Sequence, residues 1–463
     1  MADQVQGGRF ARMARLAGVA ARTTRDVLAA RAMQKISGSS ELDVGEALRP
    51  SAERLVEVLG EMKGAATKLG QFISLVDQDT FPEEARKALT KLLNQAPQRM
   101  THAQARNAVM RELGAPIEQW FSEFDLDPLA AASVGQVHAA TTKDGRDVVV
   151  KLQFPGVDKA IEADLRNVGV LSRTLALAGG VLDTQKYYEE IATTLRRELD
   201  YRQEIVQANA YREAIAPWPQ LVVPQAVPEL SSERMLTMER LRGPTMLEFA
   251  QDETRQNEER FRVSRQLIQA TWGPFLRERL IHADPHPGNY IVMADGRLGV
   301  LDFGATKRLS APFALAYWHI LGAAFAGERA DLYSLLVSAN FQMHGDRAKI
   351  EVWLNELGDI VERPFRVDEY DWGGCRISSD VRKHAQDHPV LALAVRAPEE
   401  SLMFYRSAAG VAGDLRMLRA RGDFRATMMQ TAEIARQNIS SELADLLPPA
   451  PHADQLAILL EPA

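Results

Sequence analysis

Apolar positions recur at helical spacing over residues 51–76, where Leu55, Val58, Leu59, Met62, Ala66, Leu69 and Ile73 share one face. Phe81-Pro82 interrupts that pattern, and a helical stretch resumes over 83–93. Thr101 opens another helix: Thr-His-Ala-Gln has the form of a capping box, and Gly114-Ala115-Pro116 ends it. The texture then changes. Residues 133–140 and 147–151 read as two strands joined by the turn Lys143-Asp144-Gly145. Helical stretches follow over 161–178 and 184–215, and short strands at Leu221-Val222-Val223-Pro224 and Met235-Leu236-Thr237-Met238. After Gly243-Pro244 the pattern is mainly helical to about residue 447, apart from short strands near 280–302, and Pro448-Pro449 ends it.

Divided at these changes of period, the chain has a basic amphipathic segment over 1–45 and a helical extension over 46–125. A small β-rich lobe over 126–242 and a helical lobe over 243–463 complete an α+β organisation. Charge sets the first segment apart. Arg9, Arg12, Arg15, Arg22 and Arg25 recur at helical spacing among Phe10, Met13, Leu16, Ala17 and Val19, and only Asp3 and Asp26 oppose them before residue 40. Three readings stay open for it: a helix on an anionic membrane surface, a transit peptide, and a solvated arm.

Composition narrows the class. The 46% apolar and 25% charged content is ordinary for a soluble globular protein, and 463 residues suffice for two or three packed units. A net charge of -7 argues against nucleic acid as a partner. Cys375, the single cysteine, excludes an internal disulfide and suits a reducing compartment. No apolar run reaches the roughly 18 residues needed to span a bilayer. The nearest, 313–325, is interrupted by His319 and reads as a buried helix.

The chemistry concentrates in the helical lobe. His282-Ala283-Asp284-Pro285-His286-Pro287-Gly288-Asn289 precedes a short strand that ends at Asp302-Phe303-Gly304. An Asp, an Asn five positions later and a DFG tripeptide form the metal and phosphate half of a kinase-type site. Asp284 would accept a hydrogen bond from an attacking hydroxyl or water, and Asn289 and Asp302 would offer hard oxygens to Mg²⁺. His282 reads as a brace for the loop. In the β-rich lobe Lys151 ends Val148-Val149-Val150-Lys151, where a lysine would meet the α- and β-phosphates of ATP and Glu204 is the candidate carboxylate to hold it. Glu239 and Leu241 fall at the expected hinge near adenine. Where protein kinases carry a glycine-rich loop, this hairpin opens with Ala130, Ala131, Ala132, Ser133 and Val134, a stiffer cover for phosphates. Two clusters have no counterpart in protein kinases: Lys68-Leu69-Gly70-Gln71 and Glu198-Leu199-Asp200. Taken alone, each reads as a solvated face.

Together these residues resemble the UbiB family of atypical kinases, which supports coenzyme Q (ubiquinone) biosynthesis. The resemblance covers about residues 45–440, with Lys68, Gly70 and Gln71 matching a K-x-G-Q signature, Ala130 to Ser133 an alanine-rich loop and Glu198 with Asp200 an E-x-D motif. It reverses the solvated-face reading. It implies a two-lobed protein kinase-like fold whose helical extension packs over the active site and restricts access. It further implies ATP or ADP and Mg²⁺ as cofactors, and ATPase or small-molecule kinase activity tied to lipids. The expected partners are an anionic membrane surface, lipid or quinone intermediates and quinone-biosynthesis enzymes. The expected setting is the cytoplasm, with peripheral attachment to the inner face of a membrane and no transmembrane helix. A small-molecule phosphotransferase and a nucleotide-gated scaffold without turnover are the alternatives. The helical region after about residue 310 carries no readable motif.

Overall fold

The computed structural model of the chain describes residues 99–132, 134–163, 165–166, 192–193, 196–197, 199–439, 441–444 and 447. The basic segment and the apolar helices expected before residue 94 lie outside them. Two compact units emerge. Among described residues the first comprises those up to Gln203 together with Ala226–Arg240, and the second comprises Glu204–Gln225 and everything from Leu241.

In chain order the first elements are helix α1 (His102–Leu113) and strands β1 (Phe121–Phe124), β2 (Ala130–Ala131), β3 (Gly135–Thr142) and β4 (Asp147–Gln153). Helix α2 (Tyr201–Ala214) and strands β5 (Leu221–Val222) and β6 (Met235–Glu239) follow. Helix α1 starts where the Thr101 hydroxyl accepts from Gln104 N at 3.2 Å and the Gln104 amide oxygen accepts from Thr101 N at 2.9 Å. It stops at Gly114, whose φ of 75° suits a residue without Cβ.

The sheet of the first unit runs β1-β3-β4-β6, all antiparallel, with β2 added to β3. Strand side chains alternate between faces. On β4, Val148, Val150 and Leu152 enter a core shared with Ala105, Ala108 and Val109 of α1, so Val149, Lys151 and Gln153 take the opposite face. A buried polar pair sits on the α1 side. His138 Nδ1 meets Asp125 O at 2.8 Å, its Nε2 meets Gln136 Nε2 at 2.8 Å, and Gln136 Oε1 accepts from Met100 N at 2.9 Å. Burial pushes the His138 imidazole below the usual histidine range, so a neutral ring serves both contacts.

The second unit continues with α3 (Asn257–Glu278), β7 (Leu280–His282), β8 (Tyr290–Val292), β9 (Leu298–Val300) and β10 (Thr306–Arg308). Five helices then matter to its packing: α4 (Ala311–Ala326), α5 (Arg347–Val361), α6 (Ile377–Asp387), α7 (Pro389–Ala394) and α8 (Glu399–Leu418). Helix α4 is the buried apolar helix its composition predicts, and among the described residues no helix is long and apolar enough to cross a membrane. Strands β5, β9 and β8 form one small sheet, β5 parallel to β9 and β8 antiparallel to it, while β7 pairs with β10. Helix α3 forms the spine of the unit. Tyr211 of α2 donates its hydroxyl to Ala270 O, and Trp318 of α4 donates Nε1 to Leu276 O at 3.1 Å. Phe404 of α8 packs against Tyr317, Phe275 and Phe313 with ring centroids 4.5, 4.9 and 5.2 Å apart, which locks α8 onto α3 and α4.

Gly273 of α3 faces the fully buried Trp218, and a Cβ there would lie 2.7 to 2.9 Å from three carbons of the indole. Gly273→Ala should therefore destabilise the second unit by about 1–3 kcal/mol through overpacking, read as a lowered thermal midpoint. A variant that melts with the wild type would show that Trp218 moves freely.

Candidate functional site

The antiparallel register of β8 and β9 pairs Tyr290 with Val300, and Leu301 N donates to Asn289 O at 2.8 Å. Asn289 and Asp302, thirteen positions apart in sequence, thereby become neighbours at one end of a two-strand ladder. Asn289 Nδ2 donates to Asp284 O at 3.0 Å and approaches Asp284 Oδ2 at 3.4 Å, so its amide oxygen is turned away from Asp284. Three of the expected site residues, Asp284, Asn289 and Asp302, are thus brought together in the second unit.

Asp302 has φ of 59°, the left-handed region that a side chain with Cβ seldom occupies. Its surroundings hold it there. His282 Nε2 lies 2.6 Å from Asp302 O and 3.1 Å from Leu301 O, contacts that require the ring proton on Nε2. Gly304 N donates to Asp302 Oδ1 at 3.3 Å, and Phe303 is buried against the rings of Tyr211 and His282 at 5.2 and 5.6 Å. His286 Nδ1 accepts from Gly288 N at 3.0 Å, closing the turn before Asn289.

Helix α8 supplies what the sequence pattern does not reveal. Arg406 Nη2 lies 2.6 Å from Asp284 Oδ1, with the two side chains 6% and 11% exposed. Ser407 donates its hydroxyl to His282 O at 2.9 Å. A Cβ on Gly410 would collide with Pro285 Cγ, so the glycine lets the helix approach the loop closely. Arg406, Ser407 and Gly410 share one helical face, and a charge among Met403, Phe404 and Val411 is the only local signal of it.

In the first unit the ladder aligns Ala130 with Val137, Val137 with Lys151, and Lys151 with Leu236, so these four side chains form one row across the face opposite α1. Lys151 is buried, and its Nζ stands 5.0 Å from the Tyr201 ring centroid. The alanine segment is a strand and a turn: Ala130 and Ala131 pair with β3, and Ala132 N donates to Gly135 O at 2.9 Å. Strand β3 accordingly begins at Gly135, where a Cβ would strike Leu152 O. Val134 is buried, Glu239 ends β6, and Asp200 Oδ1 accepts from Arg202 N at 3.0 Å at the start of α2. Glu204 and Leu241 belong to the second unit, Glu204 buried on α2 and Leu241 packed on Gly299. Lys68, Gly70, Gln71, Ser133 and Glu198 lie outside the described residues.

Comparison with known proteins bears on the family and the fold. Residues 91–336 match the ABC1 atypical kinase-like domain. The sequence is 28% identical over 370 residues to the mitochondrial atypical kinase COQ8 of Saccharomyces cerevisiae, covering 78% of this chain and 72% of the yeast protein. It is 32% identical over 292 residues to the mitochondrial atypical kinase coq-8 of Caenorhabditis elegans, covering 60% of this chain but only 37% of the worm protein. Among solved structures, Rv3197 of Mycobacterium tuberculosis in complex with erythromycin superposes with a TM-score of 0.59 at 27% identity, covering 85% of this chain and 98% of that one. The architecture is therefore mixed α+β and kinase-like.

One further carboxyl on α8 affects the site's stability. Asp414, two turns beyond Arg406, is buried, and its Oδ2 has no hydrogen-bond partner among the described residues. Burial pushes its pKa up to about 8. An unfolded Asp ionises near 4, so below about pH 4 both states hold the proton and nothing is lost. Between about 4 and 8 only the unfolded state ionises, and stability falls as pH rises; above about 8 the loss is complete. The stability advantage of Asp414→Asn over wild type should widen from pH 5 to pH 8, by at most about 1.4 kcal/mol per pH unit. Denaturant melts at the two pH values measure it, and a constant difference would contradict the burial argument.

Proposed function

The chain belongs to the ABC1 family of atypical kinase-like domains, and from that premise we propose that it is a Mg-ATP-dependent atypical kinase or ATPase. The observation that carries this reading is the juxtaposition of Asp284, Asn289 and Asp302 through the β8–β9 ladder and the Asn289–Asp284 hydrogen bonds. The donor set suits Mg²⁺: one neutral amide oxygen and one carboxylate, both hard ligands. Asn289 and Asp302 would hold the ion, which supplies charge neutralisation to the β- and γ-phosphates.

The remaining steps belong to side chains. Asp284 accepts a hydrogen bond from the attacking hydroxyl or water and orients it toward the γ-phosphorus. Arg406 holds that carboxylate in place. Lys151 sets a point charge against the α- and β-phosphates, and Glu204 offers a carboxylate. Ala130, Ala131, Ala132, Ser133 and Val134 cover the phosphates with less backbone freedom than glycines give. Glu239 and Leu241 border adenine, ATP and ADP both being accepted. Lys68, Gly70 and Gln71, with Glu198 and Asp200, restrict entry to acceptors smaller than a protein.

For the biological role we infer support of ubiquinone biosynthesis or quinone and lipid homeostasis at an anionic membrane surface, alongside quinone-biosynthesis enzymes. The family resemblance and the similarity to the two mitochondrial atypical kinases support it. ATP hydrolysis by the full chain, with and without anionic liposomes, tests the activity. Asp302→Asn should lower Mg-dependent turnover by roughly 10²–10³-fold, the usual scale for losing a transition-state electrostatic contact. Unchanged turnover and unchanged Mg-ATP affinity would refute the assignment, and absence of turnover in the wild type under both conditions would favour the scaffold.

A further inference from the structure

Helices α5, α6 and α7 converge on three side chains that the nucleotide chemistry does not use. Glu356 projects from α5, His384 from the last turn of α6, and His388 stands at the junction of α6 and α7. Each offers one ligand atom, and the three atoms lie within 4.8 Å of one another. His384 Nδ1 is 3.8 Å from Glu356 Oε2.

The central histidine is prepared for a metal. Its Nε2 lies 3.0 Å from Trp353 O, and facing a carbonyl oxygen that nitrogen must carry the proton. Nδ1 then presents its lone pair toward Glu356, the second-sphere arrangement found behind metal-bound imidazoles. Stacking on Trp353, at 5.3 Å between centroids and 14° between planes, fixes the ring's direction. His388 approaches edge-on at 5.4 Å, and Pro389 after it narrows its backbone range. Only Glu356 and the exposed His388 must shift to reach the tetrahedral edge of about 3.3 Å that metal–ligand bonds near 2.0–2.1 Å require.

The packing gives such an ion something to do. Neither α6 nor α7 contains a fully buried side chain, and Val390 and Leu393 of α7 are 79% and 71% exposed. Apolar burial therefore contributes little to holding these two helices on α5.

We propose that Glu356, His384 and His388 form a divalent transition-metal site, of the class that takes zinc, which clamps α6 and α7 to α5. Two imidazoles and one carboxylate select zinc and its first-row neighbours over Mg²⁺ or Ca²⁺, and leave a fourth position for water. The site is independent of the nucleotide chemistry.

The test uses the untagged full chain, stripped with a chelator and titrated with Zn²⁺ by calorimetry in millimolar Mg²⁺, so that hard-oxygen sites are already filled. One zinc per chain should bind with micromolar or tighter affinity. Glu356→Gln and His388→Ala, both at exposed positions, should each weaken binding at least tenfold. Zinc should also slow amide exchange across residues 377–394 in the wild type and not in the double variant. No saturable binding below 100 μM, or equal affinity in the double variant, would overturn the site, as would exchange across 377–394 that ignores zinc.

Discussion

Asp284 and Arg406 meet at 2.6 Å with both side chains almost wholly buried, and they come from segments 122 positions apart. A buried carboxylate needs an opposite charge or several hydrogen bonds, since removing one partner of such a pair costs about 3–5 kcal/mol. The loop 282–289 and helix α8 therefore cannot separate cheaply. Everything nearby serves this closeness: the aromatic packing of Phe404 fixes the helix, Gly410 admits Pro285, and Ser407 holds His282 O. Against an apolar pair of equal volume the ion pair need not add net stability. What it sets is the position of one carboxylate relative to Asn289.

A second layer of constraint runs through His282. The ring that receives support from α8 at its backbone oxygen donates through Nε2 to the carbonyls of Leu301 and Asp302. Those bonds oppose the strain of a left-handed aspartate, of order 1–3 kcal/mol for such conformers. The path from α8 to Asp302 is thus a chain of named contacts, each short and partly buried. In the first unit the equivalent order comes from strand alternation, which gives α1 the valines of β4 and leaves Lys151 in a row with Ala130 on the other face.

Local features were legible in the sequence because their causes are local. The Thr101 capping box, the hairpin around Lys143-Asp144-Gly145 and the strand before Asp302 each follow from residues within a few positions. The kinase-like loop was legible for the same reason. Helix α8 was not: its apolar pattern predicts a helix, but nothing nearby says that Arg406 faces inward to a carboxylate. The alanine segment shows an intermediate case. Its position where protein kinases carry a glycine-rich loop suggested a loop, and only pairing with β3 makes Ala130 and Ala131 a strand. His384 and His388 stand at the i, i+4 spacing that puts two residues on one helical face, but Glu356 joins them only through helix packing.

A double-mutant cycle between Asp284 and Arg406 reads the coupling of loop and helix directly. Denaturant unfolding of the full chain would be followed for Asp284→Asn, Arg406→Met and the double variant. Each single change should destabilise by several kcal/mol, and the double variant should recover at least about 1 kcal/mol relative to their sum, as residues in one buried contact do. Additivity within about 0.5 kcal/mol would contradict the coupling, because that is how residues without a shared contact behave.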